Sequence, residues 1–168
     1  MKTLYLLRHA KSSWGDPSLS DFQRPLNPRR LDAAPFMGAL MRERALRVDT
    51  IISSPAVRAL ATAELVRSEM GHTQEITLDA RVYDASVEEL LRIISEIGDG
   101  YDSALLVGHN PGLEDTARYL TNQIFAMPTA SLAIIDLQID RWAEIATGSG
   151  VIRGLIRPRD EMKRAGLQ

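Results

Sequence analysis

Leu4-Tyr5-Leu6-Leu7-Arg8-His9-Ala10-Lys11 is a short apolar run that stops on an arginine and a histidine. The run is too short for a buried helix, and its leucines and tyrosine suit a buried strand. In open α/β sheets, ligands bind just beyond the carboxyl ends of the strands. Arg8 and His9 would stand at such an end. An arginine beside a histidine nucleophile suits an anionic, phosphate-like substrate. The plain alternative is a first strand that happens to end in polar residues.

The chain around this stretch sets bounds. Its 168 residues suit one domain with a real core. A net charge of −2 argues against a general nucleic-acid binder. There is no cysteine, which removes disulfides, thiolate metal sites and cysteine nucleophiles together. The apolar run before Arg8 is too short for a signal-peptide core. No stretch approaches the ~20 apolar residues of a membrane span. The expectation is a soluble, cytoplasmic protein with no nucleic-acid or membrane partner.

Residues 12–30 are rich in proline and small polar residues and form a long loop. Because it follows His9 directly, it is expected to wall the site, with Trp14 packing it down. Ala34, Met37, Leu40 and Met41 then recur at helix spacing. Pro35 fits only in the first turn, so that helix starts near Asp32. Val48 to Ser53 reads as a second strand. Ser53-Ser54-Pro55 predicts a helix start, with serine as cap and proline first, and Gly71 as its stop. Arg58 falls in that helix's first turn, where the dipole disfavours a cation without a partner. A bound anion would supply one, and so would a salt bridge to Asp49 or Glu64.

Ile76-Thr77-Leu78 is a weak third strand, followed by a connector holding Arg81, Tyr83 and Asp84. Val87, Leu90, Leu91 and Ile94 predict an amphipathic helix ending at Gly98. Ala104 to Val107 is the clearest strand, and Gly108-His109-Asn110-Pro111-Gly112 leads from it into a further helix. A second histidine thus stands at a strand end before a helix start, while His72 reads as a solvated loop residue. The remainder reads as strands over Ser131–Leu137, Trp142–Ala146 and Val151–Ile156. Residues 1–158 form the expected single domain. Residues 159–168 form a charged, fraying tail, and the basic cluster of Arg153, Arg157, Arg159, Lys163 and Arg164 reads as solvated surface.

Arg8, His9, Arg58 and His109 therefore share one edge of a parallel-type sheet and make an anion pocket. Two arginines beside a cation would repel it, so no metal is expected there. No Gly-x-Ser-x-Gly elbow and no Walker-type glycine loop is present. The alternation of strands and helices up to residue 122 places the chain in the α/β class.

Three stretches together resemble the signatures of the histidine phosphatase superfamily. They are Leu7-Arg8-His9-Ala10, Ser53-Ser54-Pro55 with Arg58, and Val107-Gly108-His109-Asn110-Pro111-Gly112. The short length, Arg8 to Trp14, and Arg24-Pro25-Leu26 look most like its SixA-type phosphohistidine phosphatase branch. The resemblance implies a phosphoglycerate mutase-like fold, a three-layer α/β/α sandwich with a mixed, mostly parallel central sheet. It also implies catalysis without cofactor or metal. His9 would attack phosphorus and form a phosphohistidine intermediate, while Arg8, Arg58 and His109 hold the phosphoryl oxygens.

Ala10 stands where the superfamily usually has glycine, which excludes a strongly positive φ there. A phosphate ester needs its leaving oxygen protonated, typically by a carboxylic acid. The middle connector offers Asp84 as that acid, with Glu88 better placed to open a helix. A phosphohistidine substrate relaxes the need, since protonated imidazole leaves readily. Lys11, Ser13 and Arg24 are expected at the pocket mouth, against ordinary loop packing. The implied substrate is phosphohistidine on a protein. A small phosphorylated metabolite, or a non-catalytic phosphate-binding role, are the alternatives.

Overall fold

The computed structural model describes residues 1–167, so Gln168 of the expected tail lies outside it. Six strands form one sheet: β1 (Lys2–Arg8), β2 (Thr50–Ser53), β3 (Ile76–Leu78), β4 (Ser103–Gly108), β5 (Leu132–Leu137) and β6 (Gly150–Ile156). Their order is β3-β2-β4-β1-β5-β6. The neighbours from β3 through β1 run parallel, whereas β5 is antiparallel to both β1 and β6. The sheet is therefore mixed and mostly parallel, with one strand opposed.

Five helices cover it: α1 (Ala33–Glu43), α2 (Val57–Met70), α3 (Val87–Ser95), α4 (Gly112–Thr121) and α5 (Pro158–Arg164). The two-residue period of the strands splits the core into two layers. Tyr5, Leu7, Leu105 and Val107 face Met37 and Met41 of α1 and Ala59, Ala63 and Val66 of α2. Leu4, Leu6, Ala104 and Leu106 face Leu90 and Ile94 of α3, Leu113, Ala117 and Leu120 of α4, and Trp142. Because both faces are buried, the central strands read as continuous apolar runs rather than alternating ones. The result is an α/β/α sandwich.

Pro35 falls in the first turn of α1, and Gly71 closes α2 with a left-handed φ of 73°. Several elements differ from expectation. α2 begins at Val57 with Ala56 as its cap, not at Pro55. Ser54 instead extends the sheet edge, its N–H bonding the Val107 carbonyl at 3.0 Å. α3 ends at Ser95, before Gly98, because the Glu96 N–H closes onto the carbonyls of the last turn.

The expected strand over Trp142–Ala146 is a single 3-10 turn over Trp142–Glu144. Trp142 is wholly buried and its indole N–H donates to the Tyr101 carbonyl at 2.8 Å. One buried aromatic between polar neighbours mimics strand alternation. The tail does not fray through residue 164: proline opens α5, and Glu161 pairs with Arg44 of α1 at 2.9 Å. Of the basic cluster, Arg153 pairs with Asp136 and Arg164 with Glu161. His72 is half-buried, with Nε2 2.7 Å from the Val48 carbonyl oxygen.

Candidate active site

Strand register assembles the site. Arg8 on β1 is level with Gly108 on β4, and Ser53 on β2 is level with Val107. The residues that follow, His9, Ser54 and His109, emerge together at the carboxyl edge. The two imidazole centroids lie 5.1 Å apart. The first turn of α2 brings Arg58 to the same edge. Thr62, one turn further on, ties the two pieces: its hydroxyl donates to the Arg58 carbonyl at 2.8 Å and accepts the Ala10 N–H at 2.9 Å. Ala10 is fully buried and is not among the described residues with positive φ, so alanine fits where glycine is usual.

His9 is assigned its neutral tautomer by one contact. Nδ1 lies 2.7 Å from the Ala10 carbonyl oxygen. A carbonyl only accepts, so Nδ1 carries the hydrogen and Nε2 keeps its lone pair. Burial pushes the His9 pKa down to about 4, helped by Arg58, Arg8 and Arg24 and opposed by the Ala10 carbonyl. The His109 pKa is likewise pushed down to about 3 by burial, by His9 and by Arg58. Both rings are neutral bases at neutral pH. His109 Nε2 meets Ser54 Oγ at 2.8 Å, and that oxygen already accepts the Ala56 N–H. We assign the serine proton to Nε2, which leaves the hydrogen of His109 on Nδ1.

Three buried nitrogens at this edge have no partner in the protein: Arg8 Nε, Arg58 Nε and His109 Nδ1. A buried donor without an acceptor costs on the order of 1–3 kcal/mol, more when charged. All three belong to residues grouped at the sheet edge that carries His9, and an oxyanion bound there would be a natural acceptor for them. Arg8 is held by the loop after α4, where Nη1 donates to the Met127 carbonyl at 3.1 Å. Asn110 donates to that same carbonyl and to Glu114, and the Glu114 carboxylate accepts the Met127 N–H.

Arg58 is paired with Asp21, not with Asp49 or Glu64. The Asp21 carboxylate accepts Arg58 Nη2 at 2.9 Å, Arg24 Nη1 at 2.9 Å and the Tyr83 hydroxyl at 2.6 Å. The tyrosine bond, with the two guanidiniums, holds the Asp21 pKa well below the usual carboxylate range despite some burial. Asp21 is therefore an ionised acceptor. Its side chain is 49% exposed.

Of the residues expected at the mouth, Arg24 is buried and braced by the Ser13 carbonyl, Ser12 and Asp21. Ser13 contributes that carbonyl, while its hydroxyl accepts the Gly15 N–H. Lys11 is exposed. Trp14 does not pack the loop down: it is 78% exposed, with the Arg24 guanidinium 3.2 Å over its ring centroid. Asp84 is exposed on a left-handed turn (φ 54°) and shares no hydrogen bond or ion pair with the four central residues. Its neighbour Tyr83 faces the site instead, edge-on to His109 with centroids 5.5 Å apart.

The sequence led to the expectation of Arg8, His9, Arg58 and His109 in one site, and the structure brings all four to one edge of the sheet. That expectation missed Asp21, Tyr83, Ser54 and Thr62. The spacing of Asp21 three residues before Arg24 was the one local signal for an ion pair. Among the described residues, no group of three or more His, Cys, Asp or Glu side chains is placed to hold a metal ion, and no helix is long and apolar enough to cross a membrane.

A neutral histidine grouped with two arginines and a second histidine, at the carboxyl edge of an α/β sheet, is a site suited to a phosphoryl group. The family model "Histidine phosphatase superfamily (branch 1)" matches residues 4–105, a stretch that contains Arg8, His9 and Arg58. The chain belongs to this superfamily. An Agrobacterium tumefaciens structure named as a candidate phosphohistidine phosphatase SixA is 28% identical, with a TM-score of 0.80 over 94% of this chain and 98% of that one. The protein histidine phosphatase SixA in complex with tungstate superposes with a TM-score of 0.82 at 18% identity, covering 95% of this chain and 99% of that one, a likeness of fold. Among curated proteins, the uncharacterized protein Rv1276c of Mycobacterium tuberculosis is 29% identical over 91% of this chain and its own full length.

Proposed function

We propose that this protein is a metal-independent phosphatase that works through phospho-His9, with phosphohistidine on a protein as its substrate. The observation that carries the reading is the trio of unpaired buried nitrogens on Arg8, Arg58 and His109, at the same sheet edge as His9 with its free Nε2. Nε2 attacks phosphorus in line, and the bond to the leaving group breaks with its electron pair on that group. Arg8, Arg58 and His109 donate to the phosphoryl oxygens as charge builds on them. Water then attacks phospho-His9, releasing phosphate and restoring the neutral ring. Tungstate, carried by the SixA relative, is an oxyanion of suitable shape for such a site.

The choice of an N–P substrate rests on the acid that a phosphate ester requires. Asp21 is the carboxylate bound within the site, and it is held ionised. An ionised carboxylate cannot protonate a leaving alkoxide. The imidazole of phosphohistidine needs no such donor, because it departs as a neutral ring when its other nitrogen is already protonated.

The test is a rapid-quench assay with a phosphohistidine peptide and with para-nitrophenyl phosphate, in excess chelator. Turnover of the peptide should persist, with acid-labile phosphate on His9. His9→Ala should abolish both, and Arg8→Ala or Arg58→Ala should lower kcat/KM by about 10³-fold or more. Fast ester turnover with no action on the peptide would assign a small-metabolite phosphatase instead. Phosphate binding without any phosphoenzyme would leave a non-catalytic phosphate binder.

A further inference from the structure

We infer that Asp21 is the leaving-group residue of this site, accepting the N–H of a protonated phosphoimidazole and selecting N-phosphorylated over O-phosphorylated substrates. This rests on the function proposed above.

Asp21 sits at the tip of the loop after β1. Lys11 to Ser13 pair with Pro25 to Asn27 through the Ser12–Leu26 bridge and two backbone bonds of 2.8 Å. That pairing folds the tip back over the start of α2, where the Phe22 carbonyl accepts the Val57 N–H at 3.1 Å. The carboxylate is thus fixed from three directions, by Arg24 on its own loop, Arg58 on α2 and Tyr83 on the connector before α3, with His109 beyond Tyr83. Three donors on two oxygens leave one lone-pair position of about four. With half of its side chain exposed, Asp21 combines a fixed negative charge with an outward face.

His9, by contrast, is 8% exposed, so it lies deeper than the half-exposed Asp21 side chain. A substrate must enter from the open side, so its leaving group remains there while phosphorus meets Nε2. A phosphohistidine ring protonated on its second nitrogen is a cation with an N–H donor. When the P–N bond breaks, the electron pair goes to the ring nitrogen that carried phosphorus. The ring leaves neutral, keeping its proton on the other nitrogen. A fixed carboxylate facing that N–H favours the protonated, reactive form in the complex. An ester oxygen brings neither charge nor hydrogen, so Asp21 does nothing for it.

Asp21→Asn is nearly isosteric and keeps acceptor and donor capacity, but not the charge. The ratio of kcat/KM for a phosphohistidine peptide to that for para-nitrophenyl phosphate should fall at least tenfold. The alkaline limb of peptide kcat should also move to lower pH, since the bound ring loses its proton sooner. Asp21→Glu should hold both within about threefold of the parent. Proportional loss of the two activities in Asp21→Asn, down to complete loss, would overturn the inference and leave Asp21 as a brace for Arg58. A parent enzyme that turns over the aryl ester and never the peptide would overturn the proposed substrate itself, and this inference with it.

Discussion

At the scale of single residues, the chemistry depends on which nitrogens hold protons. His9 is a buried base flanked by cations, so it resists protonation until about pH 4. The kcat/KM profile of the free enzyme should therefore have its nucleophile limb near pH 4, well below the ordinary histidine value of 6.5. A limb at 6.5, followed with para-nitrophenyl phosphate, would mean that water reaches the ring. Once a phosphorylated substrate is bound, its negative charge favours the imidazolium, and the corresponding limb in kcat should move up. Arg8, His9, Arg58 and His109 were legible in the sequence because each ends or follows a strand or opens a helix, and that punctuation is local. Asp21 was not, because residues 12–30 have no period. Which loop carboxylate meets the arginines is decided by the Ser12–Leu26 bridge, a contact that no local pattern announces.

At the scale of elements, helices α1 and α2 cross where Gly38 meets Val66. A Cβ at Gly38 would lie 2.6 Å from the Val66 carbonyl oxygen and 2.8 Å from Glu69 Cβ. Glycine inside a helix normally costs roughly 0.5–1 kcal/mol relative to alanine. Here the clash with backbone outweighs that gain. Gly38→Ala should destabilise by about 1–3 kcal/mol, measured by denaturant unfolding, and should lower kcat as well, because α2 carries Arg58 and Thr62. A stabilised variant would show that the helices can part freely. The same dependence on packing explains the misread elements. Periodicity located α1 to α4, yet Trp142 gave the alternation of a strand while serving a turn. The start of α2 was misplaced because Ser54 bonds His109 and the sheet edge rather than capping a helix.

At the scale of the whole molecule, the fold keeps two imidazoles neutral that would titrate near 6.5 in an open chain. As pH falls below that value, the unfolded chain takes up protons that the folded protein refuses until about pH 4 at His9 and about pH 3 at His109. The unfolded state binds more protons across this window, so stability falls with falling pH there and is unaffected by these groups above it. Calorimetry should show Tm declining between pH 6.5 and 4, with added phosphate restoring more of it at pH 5 than at pH 8. A flat Tm across that window would mean that the histidines titrate normally. The sheet order has a consequence of another kind. β1 lies between β4 and β5, with Leu4 level with Ala104 on one side and with Ile135 on the other. A ribosome adding about 5–20 residues per second releases the strand that leads into His9 long before either neighbour exists. The emerging segment has no sheet neighbour until the chain has passed residue 108, and its second neighbour is complete only at residue 137. Such distant pairings make for slow maturation, and His9 is made well before the strands that set it in place.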